Sequence, residues 1–208
     1  MVKLDLVDRV KSDILKGVFA RGQTIRQQEL SERYGVSRIP VRDTLTQLKS
    51  EGWLVKCGKA GVKVPKLDAQ VAEDLYWMRS ILEPKLLGMS FEHITHEQIG
   101  KAKDVNLLLD NEHLALIEKG QLNWQFHAAL YAPANRETLF ETVRRLNTQA
   151  IQYLGFQYGP MARRNVSQQE HKDMLVLIEN RQYRDAQALL ESHIVEAGMS
   201  LVDYLKSI

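Results

Sequence analysis

The sequence predicts a mainly α protein: an N-terminal winged helix-turn-helix over residues 1–66, followed by an all-α six-helix bundle over residues 67–208. Apolar residues recur at the three- and four-residue spacing of amphipathic helices along most of the chain. Near the N-terminus a glycine turn joins two short predicted helices, and two short strands follow them. The charge balance also changes near residue 67, which indicates two domains with different partners.

The first 67 residues are strongly basic, and the rest of the chain is acidic. Residues 1–67 contain 14 Lys and Arg against 7 Asp and Glu, a net charge of +7. Residues 68–208 contain 14 against 19, a net charge of −5. A small basic domain is a candidate for binding a polyanion such as nucleic acid. The alternative is that a small domain carries a few net charges by chance.

Composition restricts the class of protein further. Hydrophobic residues make up 44% and charged residues 26%, as in ordinary soluble globular proteins. A single cysteine, Cys57, excludes an intramolecular disulfide and suits a reducing compartment. No apolar run approaches the roughly 20 residues of a membrane helix, and the acid-containing N-terminus is unlike a signal peptide. We therefore expect a cytoplasmic protein with no membrane partner.

The N-terminal region contains three predicted helices and a wing. Apolar periodicity predicts a first helix over residues 4–16 and a second over 27–34. Gly35 fits the left-handed position after the second helix, and Ser37 fits the N-cap of the third. This order of helix, turn, cap and helix is the helix-turn-helix layout. The stretch after Gly52 predicts the two strands of a wing.

The third helix carries two arginines where its own dipole repels them. Arg38 follows the N-cap directly, and Arg42 lies one turn later. A helix N-terminus carries about half a positive charge, so each cation there costs about 0.3–1 kcal/mol. Pro40 is tolerated because first-turn amides have no partner within the helix. An external anion would remove the cost of the arginines; the alternative is a solvated basic face.

The segment "RQQELSERYGVSRIPVRDTLTQLKSEGWLVKCGKAGVKV", residues 26–64, resembles the DNA-binding domain of the GntR family of bacterial transcription regulators. The resemblance implies that DNA phosphates and base edges supply the negative charge for Arg38 and Arg42. The family commonly has arginine where this chain has Gln28, and Arg26 is the candidate to replace that contact. The expected DNA-binding residues are Arg26, Gln28, Ser37, Arg38, Pro40, Arg42, Thr46 and Lys59.

The second domain is predicted to be entirely helical. Gly120 is expected to separate two of its helices, and Pro84 to kink the first. We expect Trp77 and Trp124 to fill the core of this bundle, and Trp53 to pack in the first domain. The six predicted helices cover residues 68–89, 95–118, 121–131, 136–156, 167–180 and 183–205.

The histidines are the residues of the second domain best suited to binding a metal ion. His127 follows Asn123 by four residues, so both side chains lie on one helical face. His171 and His193 lie on two later predicted helices. Neutral imidazole is the commonest protein ligand for zinc and also suits nickel. By spacing alone, hydrogen-bonded core histidines are the simpler interpretation. The remaining three, His93, His96 and His113, are expected at the surface or at helix caps.

Two further segments, "LNWQFHAALYAPANRETL" and "QQEHKDMLVLIENRQYRDAQALLESHIVEA", resemble the FCD effector domain of the FadR subfamily, in its six-helix VanR-like branch. The resemblance implies a divalent metal, zinc or nickel, held by Asn123, His127, His171 and His193. The first ligand is usually aspartate, so the asparagine here weakens the expected affinity. The resemblance also implies that two chains pair as a homodimer through the helical domain.

The resemblance further implies a small carboxylate effector at or near the metal. Arg79 is the expected clamp for its carboxylate, with Glu83 holding Arg79; a buried structural ion pair is the alternative. Gln149 and Tyr153 are expected to line the pocket, together with Arg145. The predicted function is a ligand-responsive transcription regulator, not an enzyme, that binds a pseudo-palindromic DNA operator as a dimer. The alternatives are a metal-free anion pocket in the same regulator and a metal-dependent hydrolase.

Overall fold

The computed structural model describes residues 5–58, 61–159, 161 and 163–208, and the contacts divide the chain into two units, Met1–Leu67 and Asp68–Ile208. The first unit holds three helices and a three-stranded antiparallel sheet with β3 in the middle. Its strands β2 and β3 form the predicted wing. The elements are α1 (Leu6–Leu15), β1 (Thr24–Ile25), α2 (Gln27–Tyr34), α3 (Arg38–Ser50), β2 (Val55–Cys57) and β3 (Gly61–Lys63).

Local sequence explains where these helices begin and end. Asp5 caps α1, because its carboxylate accepts a hydrogen bond from the amide of Asp8 at 2.8 Å. Gly35 ends α2 with a φ of 65°, a left-handed conformation that costs glycine little. Trp53 is fully buried in the apolar core of this unit, together with Leu30 and Leu48. The predicted turn and the packing of Trp53 are therefore confirmed.

The second unit is a bundle of helices, which confirms the predicted all-α class. The long helices α4 and α10 pack against each other along much of their length. No helix in the described ranges combines the length and the apolar character needed to cross a membrane. The helices are α4 (Ala69–Ser90), α5 (His96–Leu109), α6 (Leu116–Tyr131), α7 (Glu137–Ala150), α8 (Leu154–Tyr158), α9 (Arg164–Glu179) and α10 (Tyr183–Ser207).

The predicted helix break at Gly120 is wrong, because Gly120 lies inside α6. The break comes earlier, after α5 ends at Leu109. There the Asn111 side chain accepts a hydrogen bond from the amide of His113 at 3.0 Å and closes a turn. Glycine serves a packing purpose at position 120. A Cβ atom there would lie 2.8 Å from side-chain atoms of both Ile151 and Leu154.

The single helix predicted over residues 136–156 is also interrupted. α7 ends at Ala150, a 3-10 turn follows over Ile151–Tyr153, and the short α8 begins at Leu154. A 3-10 turn winds more tightly than an α-helix, so side chains after it do not continue the face that α7 presents. By contrast, α4 runs as one helix through Pro84, whose carbonyl oxygen accepts a hydrogen bond from Gln187 Nε2 at 2.8 Å.

Trp77 does not fill the bundle core, which corrects the prediction for this residue. Trp77 is 65% exposed on α4, whereas Tyr76 and Arg79, on another face of the same helix, are buried. Trp124 is partly buried and packs against Phe140, with ring centroids 5.3 Å apart. Apolar periodicity places a residue on a face, but which faces meet is decided by the neighbouring helices.

Candidate functional site

The first candidate site is the exposed front of α3. Ser37 occupies the N-cap but makes no capping hydrogen bond through its side chain, and the first turn contains no acid. Arg38 and Pro40 are exposed. The Arg42 side chain is 68% exposed, and its Nε lies 3.6 Å from the equally exposed Asp43 carboxylate. Both arginines therefore face solvent at the positive end of the helix dipole.

Other predicted DNA-binding residues differ in their freedom to contact a partner. Thr46 is exposed, and its hydroxyl donates a hydrogen bond to the Arg42 carbonyl oxygen at 3.0 Å. Gln28 is exposed on α2, where its amide donates to Glu32 at 2.8 Å, and Arg26 is the exposed N-cap of that helix. Lys59 lies outside the described residues.

The second candidate site is a cluster of three histidines in the helical unit. His127 on α6, His171 on α9 and His193 on α10 each place a ring nitrogen within 4.8 Å of the other two. All three side chains are buried. The other histidines, His93 and His113 among them, are exposed as expected. Residues far apart in the sequence thus converge with the geometry of a metal-ligand set.

Hydrogen bonds determine which ring nitrogen of each histidine is available. The Nδ1 of His171 meets the Asn106 side-chain oxygen at 3.2 Å, and the Nδ1 of His193 meets the Glu170 carboxylate at 2.6 Å. Both oxygens are acceptors, so each Nδ1 donates a proton and each Nε2 is the ring nitrogen left for another ligand.

The third histidine is held by a phenol. The Tyr131 hydroxyl donates to Glu83 at 2.8 Å, so its oxygen accepts from His127 Nδ1 at 3.2 Å. The Nε2 atoms of His127 and His171 are buried and have no hydrogen-bond partner among the described residues. A buried polar atom without a partner costs about 1–3 kcal/mol, and a metal ion would satisfy both of these nitrogens.

Burial favours the neutral form of His127 and His171, the form in which histidine binds a metal. It lowers the pKa of His127 and His171 well below the usual value, and repulsion from His193 lowers both further. For Glu170, burial opposes the charge, but the hydrogen bond from His193 and the charge of Arg163 outweigh it and lower the pKa.

A buried ion pair lies beside the histidines. Arg79 Nε donates to Glu83 at 2.7 Å, and Arg79 Nη2 donates to the Asn147 side-chain oxygen at 3.1 Å. Asn147 Nδ2 donates to the same Glu83 carboxylate at 2.9 Å. The pKa of Arg79 is raised, because Glu83 outweighs the effect of burial. Glu83 thus links Arg79 to Tyr131 and, through it, to His127.

The cavity next to this network has a volume of about 50 Å³. Among its lining residues are Arg79, Asn123 and His193, so the structure brings these three predicted residues together. Gln149 is half-buried and Tyr153 is buried, and neither is among the lining residues. Asn147 contributes to the lining in place of Gln149, and Arg145 is exposed on the opposite side. Tyr153 lies in the 3-10 turn after α7, which breaks the α-helical spacing used in the prediction. Arg145 and Gln149 lie within α7, each two residues from Asn147 and therefore on another face of the helix.

Sequence reasoning missed five residues of this site: Asn106, Tyr131, Asn147, Arg163 and Arg164. The two arginines line the cavity at the start of α9. Their only sequence signal is a pair of cations directly after the break "YGPMA". Tyr131 lies one turn after His127, as a helical partner would. No comparable spacing points to Asn106, which is 65 residues from His171.

Comparisons with known proteins match both units of the chain. Residues 3–64 match the family model described as bacterial regulatory proteins, gntR family, and residues 74–196 match the FCD domain model. The Nta operon transcriptional regulator of Aminobacter aminovorans is 27% identical over 85% of this chain and 83% of its own. The repressor GlaR of Escherichia coli is 25% identical over 74% of this chain and 72% of its own.

Solved structures share the fold. McbR/YncC of Escherichia coli superposes with a TM-score of 0.73 over 99% of both chains, at 18% identity. A GntR family transcriptional regulator from Pseudomonas syringae has a TM-score of 0.61 at 28% identity, covering 97% of this chain and 85% of its own. With the winged helix, the helical bundle and both matched segments, this chain belongs to the GntR family of bacterial transcriptional regulators and carries an FCD effector-binding domain.

Proposed function

We propose that this regulator senses a small carboxylate at a metal site in its helical domain. The single observation that carries the proposal is the pair of buried Nε2 atoms, on His127 and His171, that have no partner in the described part of the chain. His193 lines the adjacent cavity and completes the three-histidine set. Zinc or nickel suits three neutral imidazoles. The same ligand pattern supports placement in the FadR subfamily.

Asn123 is the proposed fourth ligand, through its side-chain oxygen. It lies one turn before His127 on α6 and lines the same cavity as His193. When bound, the metal would supply a Lewis-acidic position for an anionic oxygen. Arg79 lines the cavity beside it, and its partner Glu83 fixes the orientation of the guanidinium. A carboxylate in this cavity would therefore meet both the metal and Arg79.

An asparagine in place of the usual acid supports a second form of the proposal. Asn123 brings no negative charge, so the affinity for a divalent cation is lower than with an aspartate. In the metal-free form, the three histidines and Arg79 would hold the anion directly. Hydrolysis is not supported, because no carboxylate lies among the described residues that line the cavity to act as a general base.

For the DNA-binding unit we propose that two copies of α3 read a pseudo-palindromic operator, with Arg38 and Arg42 contacting base edges. The two copies would come from a homodimer paired through the helical units. An exposed apolar surface on α4 and α10 supports this pairing; it contains Trp77, Val195 and Met199. To regulate, the carboxylate must bind one arrangement of the dimer more tightly than the other.

Metal content tests the central part of this proposal. Untagged protein, freed of metal and then loaded, is expected to bind one zinc or nickel ion per chain with a rise in melting temperature. His171→Ala should abolish both effects. Tyr131→Phe should retain the ion but weaken its affinity about 10–100-fold, since it removes the acceptor that orients His127.

His96→Ala is the matched control, because His96 is exposed and lies outside the cluster. It should bind the ion as the unmodified chain does. Equal metal binding by the unmodified chain and His171→Ala would reject the three-histidine site. No binding under any loading condition would leave only the metal-free anion pocket.

A further inference from the structure

The cavity lining has an excess of positive charge that one carboxylate does not explain. Arg79, Arg163 and Arg164 all line it, and no Asp or Glu is among its described lining residues. Arg79 is paired with Glu83, which is fully buried and accepts at 2.7 Å. Arg163 and Arg164 also have carboxylates within 4 Å, all of them outside the lining. Each of these two arginines nevertheless keeps a buried donor that makes no hydrogen bond to a described residue.

Arg163 has a donor with no acceptor. Its Nη2 is buried and makes no hydrogen bond to any residue that the structure describes. The two nearest carboxylates, on Glu170 and Glu196, are 3.8 and 3.9 Å away, beyond hydrogen-bonding distance. Glu170 is already committed to His193 at 2.6 Å, so it cannot move to Arg163 without releasing that histidine.

Arg164 repeats this arrangement. Its Nε is buried without a hydrogen-bond partner, although its terminal nitrogens reach the Asp110 carbonyl oxygen at 2.8 Å and Glu112 at 2.9 Å. The Glu112 side chain is 79% exposed, so solvent screens its charge. Arg164 also begins α9, whose first turn contains no acid and whose dipole adds positive potential. Ser167, one turn on, adds a hydroxyl to the lining.

We propose that the effector is a dianion, a short dicarboxylate, whose second carboxylate is bound by Arg163 and Arg164 with Ser167. This inference rests on the proposed carboxylate-sensing function and adds a second anion subsite to it. One carboxylate takes the position beside Arg79 and the histidines, and the other accepts from the orphan donors of the arginine pair. A cavity of about 50 Å³ favours a short acid over a long one.

Matched acids test the second subsite. Malonate is compared with propionate, and succinate with butyrate, by calorimetric titration of the full chain in zinc-loaded and zinc-free forms. At least one dicarboxylate is expected to bind at least about 10-fold more tightly than the monocarboxylate of equal length. Arg163→Gln and Arg164→Gln should each reduce that affinity about 10-fold or more and leave monocarboxylate binding unchanged.

Arg145→Gln is the control for a general loss of positive charge, because Arg145 is exposed on α7. It should retain the dicarboxylate preference. Should Arg163→Gln fail to fold by thermal melting, Arg163→Lys keeps the charge but loses the planar fork, and a loss of several-fold is expected.

Equal affinities within both acid pairs would overturn the dianion assignment, as would variants that weaken both classes of acid equally. Failure of the metal proposal looks different. The chain would take up no zinc, yet the zinc-free form would still prefer the dicarboxylate through Arg163. Absence of any carboxylate binding in either form would overturn this inference together with the proposed effector class.

Discussion

The hydroxyl of Tyr131 decides which nitrogen His127 can offer to a ligand. Because its proton goes to Glu83, the phenol oxygen must accept the proton of His127 Nδ1. The buried Glu83 also accepts from Arg79, so one carboxylate orients a metal-site histidine and a cavity arginine together. A change at Glu83 would therefore disturb both halves of the proposed site.

Buried neutral histidines also make the stability of the metal-free protein depend on pH. The folded-state pKa values of His127 and His171 are depressed, so below about pH 6.5 the unfolded chain binds protons that the folded chain does not. The stability that these residues contribute is complete above that pH and is lost as the pH falls. Each histidine contributes at most about 1.4 kcal/mol per pH unit.

Urea unfolding of metal-free protein at pH 7.5, 6.5 and 5.5 measures this slope. His127→Asn should flatten it, whereas His96→Asn, at an exposed position, should not change it. A slope that is the same in the unmodified chain and in His127→Asn would contradict the assignment.

For individual residues, the sequence predicts which side chains form the site better than it predicts which side chains they contact. The three histidines are recognisable because their segments resemble a known ligand pattern, since their spacing alone would equally suit hydrogen-bonded core residues. Asn106 and Asn147 carry no such signal, since a polar residue on a helix face is usually exposed. Only the packing of α5 and α7 brings their side chains to His171 and Glu83.

Among the elements, α6 and the turn after α7 depend on one small residue. Gly120 is buried, and an added Cβ atom would lie 2.8 Å from Ile151 and Leu154. Periodicity predicts the helices, but it reads this glycine as a break. A glycine can end a helix or allow close packing inside one. Only the close approach of Ile151 and Leu154 shows that Gly120 serves packing.

Gly120→Ala is accordingly expected to destabilise the helical unit by about 1–3 kcal/mol through overpacking. Gly100→Ala is the matched control, since Gly100 lies inside α5 with no atom within 4 Å of the added Cβ. That substitution should stabilise the helix by about 0.5–1 kcal/mol. Denaturant unfolding compares the two, and equal effects would contradict the packing argument.

For the molecule as a whole, DNA binding is expected to depend on α3. Arg42→Ala should cost about 1–3 kcal/mol of operator affinity and relax one base preference. Arg184→Ala removes the same charge from the helical unit and should change affinity little. Binding to an operator selected from random DNA measures both, and unchanged affinity of Arg42→Ala would refute the proposed role of that residue.

Assembly is expected to depend on the exposed apolar surface of α4 and α10. Trp77→Ser should shift the protein from dimer to monomer in analytical ultracentrifugation, because it removes the largest exposed apolar side chain of that surface. Leu107→Ser is the control, since Leu107 is 71% exposed on α5, outside this surface. A dimer that tolerates Trp77→Ser as well as Leu107→Ser would place the interface elsewhere.

Asn123 would couple metal binding to anion binding in the proposed sensor more strongly than an aspartate would. Three neutral imidazoles and an amide oxygen leave the full double charge on a bound divalent ion, in a cavity already lined by arginines. Anion and cation would then each raise the affinity of the other by the same factor. The regulator would then respond only when the metal and the acid are both abundant.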